Sequence, residues 1–483
     1  MAYIARFRLV MLLAVLLLLM GSPGSAHAGT PDRKWLDLLK QQQFDKLENE
    51  LQRLQADYDG GGCQECEANA PYFLFATSDP LVGQRLQEWV AQHPNSVPAR
   101  FARGRYLNHV AWIARGSGTV SETSNEQFAE MRRLQTAAIE DLLWVVEHEP
   151  KTPLAYADLI YIATAQSGEI AAAQIYDRAL QSNPDSPAIY RARVWSLSPW
   201  WQSILSWGDA EARQQAYILD LQQKYGGKPG FGWLDGYADY MKAEADWRNG
   251  DWEAAIAAYG RALAVREHAT YLLARADAYA DIEAYDKADA DRKRALTIAP
   301  NDTDALYENG KLDAWRCRSA SAADICKAAE AELDAVVAAD PLEPKYLLQR
   351  ALHLAAMGRT DEARRDMEDA QVYGKNAAWV QGMSASILSS FDKPAAKLAY
   401  QRAITLAPDD LSRVEKYLRF LADTADCGFL PLQITYRKIC SQTDQCRLIG
   451  ELDGMVESFQ QNRRQNCAAQ NWTQPAASMA LPE

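Results

Sequence analysis

The sequence predicts an all-α fold in which pairs of helices stack as an α-solenoid, preceded by an α-helical N-terminal domain. One spacing of small and aromatic residues recurs along the chain, and the steps from Ala262 to Ala295 and from Ala370 to Ala403 are both 33 residues. The apolar residues between these positions follow a helical rather than an alternating period. Repeats of this length form solenoids, because each unit buries its apolar face only against its neighbours.

The clearest repeat lies in residues 271–302, where two helical stretches meet at Asp281-Ile282-Glu283 and Pro300 ends the second. Small and aromatic residues are placed where the helices would face each other, at Ala276, Tyr279, Ala288 and Ala295. Small residues there let the helix axes approach to roughly 8–10 Å. The second-helix spacing recurs at four further places: Ala172, Tyr176, Ala179 and Pro184; Ala255, Tyr259 and Ala262; Ala363, Met367 and Ala370; Ala396, Tyr400, Ala403 and Pro408.

This pattern resembles the tetratricopeptide repeat (TPR), which has a small residue and an aromatic on its first helix, A-x3-F on its second and then Pro. The resemblance implies that the first helices line a concave surface. On this chain the groove residues would be Tyr240, Glu244, Trp247, Arg248, Thr270, Asp277 and Asp281. The later repeats would contribute a more apolar stretch with Leu348, Leu352 and Leu388.

The N-terminal part is helical without a clean repeat. Residues 35–58 show a helical period with a turn near Gln43, and further helices are predicted at 81–92, 97–112 and 125–147. The stretches FDKLENELQRLQADY, RGRYLNHVAWIARGSG and LSPWWQSILSWGD resemble a bacterial helical domain of unknown function (number 4034) over residues 33–225. That resemblance implies a fold type and no activity.

The first residues predict export. Arg6 and Arg8 precede an apolar run from Leu9 to Met20, which is short for a membrane span, and Ala26-His27-Ala28 offers a cleavage site. We therefore expect a signal peptide at residues 1–28, a periplasmic or secreted mature protein, and no membrane insertion after cleavage.

The rest of the chain divides at changes in pattern. We predict a helical N-terminal domain at 29–225 with a TPR-like unit near 153–184, a glycine-rich linker at 226–235 and TPR-like repeats at 236–410. A helical C-terminal cap with disulfides would follow at 411–470, and a disordered tail at 471–483.

All eight cysteines follow the predicted cleavage site, and an even number in an oxidising compartment indicates disulfides. We expect Cys63 to pair with Cys66 and Cys317 with Cys326, the latter across an enlarged repeat. Two more bridges are expected among Cys427, Cys440, Cys446 and Cys467. A redox role for the C-x-x-C at Cys63 and zinc binding by the C-terminal cysteines are weaker alternatives, since the setting and spacings do not fit them.

Neither a catalytic nor a metal-binding motif is present. None of the histidines has H-E-x-x-H spacing, and no G-x-S-x-G marks a nucleophile. We therefore predict no enzyme activity, no cofactor and no metal. The alternative is an envelope enzyme in the N-terminal domain, using His109, Glu140 or Asp141.

The net charge of −13 argues against nucleic acid as a partner. We predict a protein–protein adaptor or scaffold that binds a protein or peptide with some basic character in the concave groove. The sequence gives no oligomeric state. A second alternative is a glycan- or peptidoglycan-binding module at a tryptophan-rich junction, formed by Trp195, Trp200, Trp201, Trp207, Trp233, Trp247 and Trp252. Exposure of Trp200 and Trp201 on one shared surface would favour it.

Overall fold

A computed structural model describes residues 34–462 except 117–119, 121–122, 203–204, 321–322, 408–409, 442–445 and 447. The predicted signal peptide at 1–28, the tail at 471–483, Pro408 and Cys467 lie outside these residues. Every regular element in the described residues is a helix, which confirms the all-α prediction.

The described part of the chain forms two compact units. The larger unit comprises residues 34–112 and 130–341, and the smaller unit comprises residues 113–129 and 342–462. The α-helices from the N-terminus to residue 340 are α1 Lys34–Lys40, α2 Phe44–Asp59, α3 Glu65–Phe73, α4 Pro80–Gln92, α5 Val97–Arg115, α6 Asn125–His148, α7 Pro153–Ser167, α8 Glu169–Ser182, α9 Pro187–Ser196, α10 Trp207–Tyr225, α11 Tyr237–Arg248, α12 Trp252–Val265, α13 Ala269–Asp281, α14 Tyr285–Ile298, α15 Thr303–Ala320 and α16 Ala323–Ala339. The remaining helices are α17 Pro344–Ala356, α18 Thr360–Gly374, α19 Ala378–Leu388, α20 Lys393–Leu406, α21 Leu411–Asp423, α22 Phe429–Cys440 and α23 Leu452–Asn462.

Helices α1 and α2 form where the apolar period predicts them. The turn between them contains Gln42 with a φ of 58°, next to the predicted turn at Gln43. Beyond the turn, Phe44, Leu47 and Leu51 are buried on one face of α2. Helix α4 begins at Pro80 because Asp79 caps it, accepting a hydrogen bond from the backbone N–H of Leu81 at 2.9 Å.

The TPR-like unit predicted near 153–184 is the helix pair α7 and α8, with Ala172 and Ala179 buried. From residue 237 onward, three helix pairs of the larger unit form the other predicted repeats: α11 with α12, α13 with α14, and α15 with α16. In the first pair, Gly250 adopts a φ of 81° in the turn and Asp251 caps α12 through the backbone N–H of Ala254. Ala255, Ala258 and Ala262 are fully buried on α12, as the small-residue pattern predicts. The third pair is longer, and the predicted disulfide between Cys317 and Cys326 joins its helices.

The smaller unit contains two further pairs, α17 with α18 and α19 with α20. Gly358 has a φ of 79° in the first turn. The repeat positions on α18 and α20 are buried: Ala363, Met367, Ala370, Ala396, Tyr400 and Ala403.

Helices α21, α22 and α23 follow the last pair. They lie in the segment predicted as a helical cap, with α21 ending at Asp423 and α23 beginning at Leu452. Cys440 pairs with Cys446, and Cys427 is disulfide-bonded. Cys63 lies in the loop before α3, and the Cys66 side chain is not among those described, so their pairing stays a prediction.

The segment predicted as a linker is packed against the larger unit's core. Gly227 and Gly230 have positive φ in its turns. The residues that follow, Phe231, Trp233 and Leu234, are buried in a cluster with Tyr190, Val194, Ile218 and Leu221.

Candidate functional site

We use the name repeat surface for the first-helix residues that the TPR resemblance selects: Tyr240, Glu244, Trp247 and Arg248 on α11, and Thr270, Asp277 and Asp281 on α13. The indole N–H of Trp247 donates a hydrogen bond to Oδ2 of Asp281 at 2.7 Å. These residues are one repeat apart, so the bond joins the first helices of adjacent repeats. Except for Tyr240, all seven keep partial exposure.

The α11 part of the repeat surface rests on buried tyrosines. Tyr240 is only 3% exposed, and its ring stacks on Tyr271 with centroids 4.9 Å apart. Tyr259 donates a hydrogen bond to Oε1 of Glu244 at 2.6 Å. Burial raises the pKa of Glu244 above its usual value, although the tyrosine bond and Arg248 oppose that shift. Tyr240 therefore belongs to the buried cluster beneath the surface, which hydrogen-bonds Glu244 and against which Trp247 packs.

The α13 part is crowded with carboxylates. Asp277 accepts a hydrogen bond from Arg292 at 2.8 Å. Burial and the neighbouring Glu308 raise the pKa of Asp277 to about 6, while Arg292 and Lys311 act in the opposite direction. Ionised Asp277 is therefore incompletely compensated by its protein neighbours.

Two residues mark the edges of the repeat surface. Arg248 pairs with Glu211 at 2.6 Å and lies over the ring of Trp207 at 5.3 Å. Thr270 lies in the first turn of α13, where His268 caps its backbone N–H through Nδ1 at 3.2 Å. The Arg248 side chain is therefore held by its ion pair, and the backbone of Thr270 by the cap of α13.

The apolar residues predicted for the later groove are mostly core residues. Leu348 is fully buried and Leu388 is 9% exposed, whereas Leu352 keeps partial exposure. The smaller unit thus offers little of this stretch to a partner.

The histidine of the enzyme alternative belongs to a structural tie. His109 Nε2 lies 2.9 Å from Oδ2 of Asp340, and the Ser78 backbone N–H and hydroxyl both donate to Oδ1 of Asp340. Burial opposes ionisation of Asp340, but His109 and Ser78 hold its pKa below the usual range. The carboxylate stands between the serine and the histidine, so the histidine does not take the position of a base for that serine.

The two acids of the enzyme alternative, Glu140 and Asp141, lie in different environments. Glu140 is exposed on α6. Asp141 is 1% exposed and binds Arg100 at 3.1 Å and Arg103 at 2.7 Å. This arrangement ties α5 to α6 and leaves the Asp141 carboxylate fully engaged.

Four of the tryptophans proposed as a glycan shelf, Trp195, Trp200, Trp201 and Trp207, lie in two groups of rings. Trp233 packs instead against Tyr237, and Trp247 bonds to Asp281. Trp201 packs against Trp195 and Trp112, with centroids 4.6 and 6.3 Å away. Trp200 meets Trp207 edge to face at 4.7 Å. Trp200 and Trp201 are half-buried, and each presents its ring to other aromatic side chains.

Sequence reasoning missed a cavity in the larger unit. It has a volume of about 430 Å³ and lies among the end of α2, the start of α3, α7 and the N-terminus of α9. Four of the charged residues in its lining come from α3, α5, α7 and α9: Glu65, Arg105, Asp158 and Arg191. No periodic signal links such positions, because each comes from a different helix.

Two further observations concern the described residues alone. No cluster of three or more His, Cys, Asp and Glu side chains there is placed to hold a metal ion. Likewise, none of the helices in that part of the chain has the length and apolarity needed to cross a bilayer.

Comparison with known proteins agrees with this architecture. Residues 34–170 match the family described as a domain of unknown function (DUF4034), and residues 240–303 match the tetratricopeptide repeat. No curated protein matches the chain.

Several solved structures are similar in fold. A thermophilic TPR protein from Thermus thermophilus (TTC0263) is 19% identical, with coverage of 38% of this chain and 98% of that chain and a TM-score of 0.34. The APC/C hetero-tetramer Cut9–Hcn1 is 11% identical, with coverage of 89% and 90% and a TM-score of 0.44. Yeast Tom70 is 12% identical, with coverage of 89% and 94% and a TM-score of 0.35.

The helix pairs form an α-solenoid, and one part of it, residues 240–303, is similar to the tetratricopeptide repeat. The N-terminal region, residues 34–170, is similar to the DUF4034 domain.

Proposed function

We propose that this chain is an exported, non-catalytic adaptor that binds a basic segment of another protein on the repeat surface. The observation that carries the proposal is the continuity of that surface. The bond between Trp247 and Asp281 connects α11 to α13, and the carboxylates of Glu244, Asp277 and Asp281 lie along the connected helices.

The charges of the repeat surface support a basic partner. The pKa of Asp277 is raised to about 6 by burial and by Glu308, so its ionised form is under-compensated at neutral pH. A lysine or arginine from a partner would supply the missing positive charge. Trp247, which is partly exposed and fixed by its hydrogen bond, would supply rigid contact area.

The decisive experiment is crosslinking of a tagged chain in its native envelope, followed by mass spectrometry. The test variant is Trp247→Ala/Asp277→Ala/Asp281→Ala. A matched control, Glu253→Ala/Tyr285→Ala/Asp286→Ala, removes one aromatic and two acids that are exposed on second helices. We expect one dominant protein to be captured by the parent and the control and lost from the test variant. Equal capture by all three would refute the repeat surface as the site.

Export is supported by the N-terminal sequence pattern and by the disulfides Cys317–Cys326 and Cys440–Cys446, which an oxidising compartment favours. We expect these cysteines to resist a thiol-alkylating reagent on denatured, unreduced protein taken from cells, and to react after reduction. A copy lacking residues 1–28 should react without reduction. Reaction of the full-length protein without reduction would contradict export.

The disulfide between α15 and α16 should also stabilise the folded chain. Replacing Cys317 and Cys326 by Ser should lower the free energy of unfolding by about 2–3 kcal/mol, because it frees a short loop in the unfolded chain. Urea unfolding of the oxidised parent and the double variant measures the difference. An equal midpoint for both would show that the bridge does not stabilise the repeats.

A further inference from the structure

The cavity of the larger unit is open to solvent at one side and closed at its inner end. Its mouth includes exposed Asp59, Lys151 and Asp185, and its inner wall includes buried Asp158 and Arg105. The volume of about 430 Å³ falls in the range of small-molecule sites, which is roughly 300–1,000 Å³.

The inner end is fixed by a buried ion pair. Nη1 of Arg105 lies 3.0 Å from Oδ2 of Asp158, and both side chains are 2% exposed. The Arg105 guanidinium also lies 5.0 Å from the ring centre of Phe73. Its Nε is buried without a hydrogen-bond partner among the described residues. Arg105 is thus neutralised by Asp158 but not fully hydrogen-bonded.

The N-terminus of α9 is already occupied by a protein carboxylate. Oε1 of Glu65 accepts a hydrogen bond from the backbone N–H of Ala188 at 3.1 Å. Burial raises the pKa of Glu65 to about 7, against the opposing effects of Ser186, Ala188 and Arg191. Oε2 of Glu65 is buried with no partner in the described part of the chain. The helix end itself therefore needs no external anion.

Arg191 also lines the cavity, and it forms no direct ion pair with the described residues. Its guanidinium lies over the Trp233 ring at 5.2 Å, and within the described residues it belongs to no ion pair and no hydrogen bond. Burial lowers its pKa, and the groups acting against that shift are the tyrosines 161, 237 and 271 and Glu65. Arg191 is partly exposed and lines the cavity, so an anion in the cavity can reach its guanidinium and form an ion pair with it.

From Arg191 and the cavity that it lines we infer that the larger unit contains a ligand site for a carboxylate carried on a compact apolar body, such as an apolar amino acid derivative or the C-terminal residue of a peptide. The planar fork of a guanidinium matches a carboxylate through two parallel hydrogen bonds. This site lies outside the repeat surface and does not depend on the proposed adaptor function.

The charges and walls of the cavity select this class. Its lining contains four acids, Asp59, Glu65, Asp158 and Asp185, against three bases, Arg105, Lys151 and Arg191. A phosphate dianion would meet too little positive charge, whereas one carboxylate matches one unpaired arginine. Phe73, Leu154 and Ala157 give the wall an apolar part, which suits an aliphatic side chain.

The test is isothermal titration calorimetry of the full-length protein with N-acetyl-leucine and with its uncharged amide. A peptide ending in leucine, as free acid and as amide, distinguishes a peptide C-terminus from a small molecule. The variants are Arg191→Gln, and Arg178→Gln as control, because Arg178 is exposed on α8. Thermal unfolding by circular dichroism establishes that both variants fold.

We expect the parent and Arg178→Gln to bind the acids at millimolar concentrations or below, and to bind the amides at least about tenfold more weakly. Arg191→Gln should lose this preference for the acid. Tighter binding of the peptide acid than of N-acetyl-leucine assigns the site to chain ends, and the reverse order assigns it to small molecules. Equal binding of acid and amide by the parent, unchanged preference in Arg191→Gln, or no heat from any probe would each overturn the inference.

Discussion

The repeat surface and the cavity both contain charged groups in partly buried positions, but these groups differ in the partners that they bond to. On the repeat surface, Asp281 accepts a hydrogen bond from the Trp247 indole, and Asp277 accepts one from Arg292. In the cavity, Arg105 is paired with Asp158, while Arg191 forms no direct ion pair among the described residues and interacts with Glu65 only at longer range. The first region is a surface whose charged side chains bond to each other, and the second is a cavity that contains one arginine without a direct ion-pair partner.

This difference follows from how the two regions are assembled. Repetition places like residues at like depths, so the first helices of neighbouring pairs can bond to each other across one period. The cavity gathers side chains from six helices and the loops near them, and its balance of charge depends on each segment separately. A periodic face suits an extended partner, whereas a single unmatched charge in a recess suits a small group.

The largest effect should come from breaking the cavity's ion pair. Arg105→Met keeps an apolar stem beside Phe73 but leaves Asp158 buried without its partner. We expect a loss of about 3–5 kcal/mol in the free energy of unfolding, because an uncompensated charge then remains in the interior. Urea unfolding followed by circular dichroism provides the measurement.

The companion variant Arg105→Met/Asp158→Leu separates charge from packing. Replacing both partners by apolar residues removes the buried charge, so most of the stability should return. Crosslinked capture through the repeat surface should remain at the parental level in this double variant. If Arg105→Met unfolds at the same urea concentration as the parent, the Arg105–Asp158 ion pair does not stabilise the fold, and the two regions do not differ in the way proposed.

The periodic parts of the fold were predictable, and they are confirmed. Spacing alone located the helix pairs between 236 and 406, and the excess length of the third pair indicated the Cys317–Cys326 bridge. The predicted helices at 81–92 and 125–147 agree with α4 and α6 within one residue at each end. These features depend on residues close together in sequence, where helical period, caps and turn glycines act directly.

What the sequence could not predict depends on contacts between distant segments. Asp340 meets Ser78 and His109 across 262 and 231 positions, so nothing local marks it as their partner. The sequence pattern does not distinguish Arg191 from an exposed arginine on a short helix, because only the tertiary packing places it in the cavity wall. Tyr240 was predicted to face the groove, and its burial under Tyr271 is set by the neighbouring repeat. The role of the groove residues in binding stays a prediction.

A smaller effect is expected where the repeat surface joins its helices. Trp247→Phe keeps an aromatic ring but removes the N–H that bonds Asp281. The free energy of unfolding should fall by about 1 kcal/mol, the net value of one hydrogen bond. Trp315→Phe is the control, because Trp315 is 57% exposed on α15, and its change should be within about 0.5 kcal/mol. Equal losses for the two variants would show that the Trp247–Asp281 bond does not connect the repeats energetically.

The smallest effect should come from Asp277→Asn. This change should raise the stability of the chain and weaken its binding to a basic partner. The pKa of Asp277 is raised from 3.8 to about 6 in the folded chain, so the folded state binds its proton more tightly than the unfolded state does. The aspartate therefore costs stability as pH rises from about 4 to 6, and the full cost persists above that window. The asparagine variant should be more stable than the parent by up to about 1 kcal/mol at pH 7, with no gain below pH 4.

Thermal unfolding at pH 4 and pH 7 would detect that change, with Asp177→Asn, an exposed residue on α8, as a control that should show no gain at either pH. Asparagine cannot attract a cation, so the same variant should capture less of a basic partner at pH 7. Greater stability with weaker capture would mean that the repeat surface retains an unfavourable charge for the sake of binding. If Asp277→Asn were instead destabilising at pH 7, Arg292 would already satisfy the aspartate, and the argument for a basic partner would lose its electrostatic support.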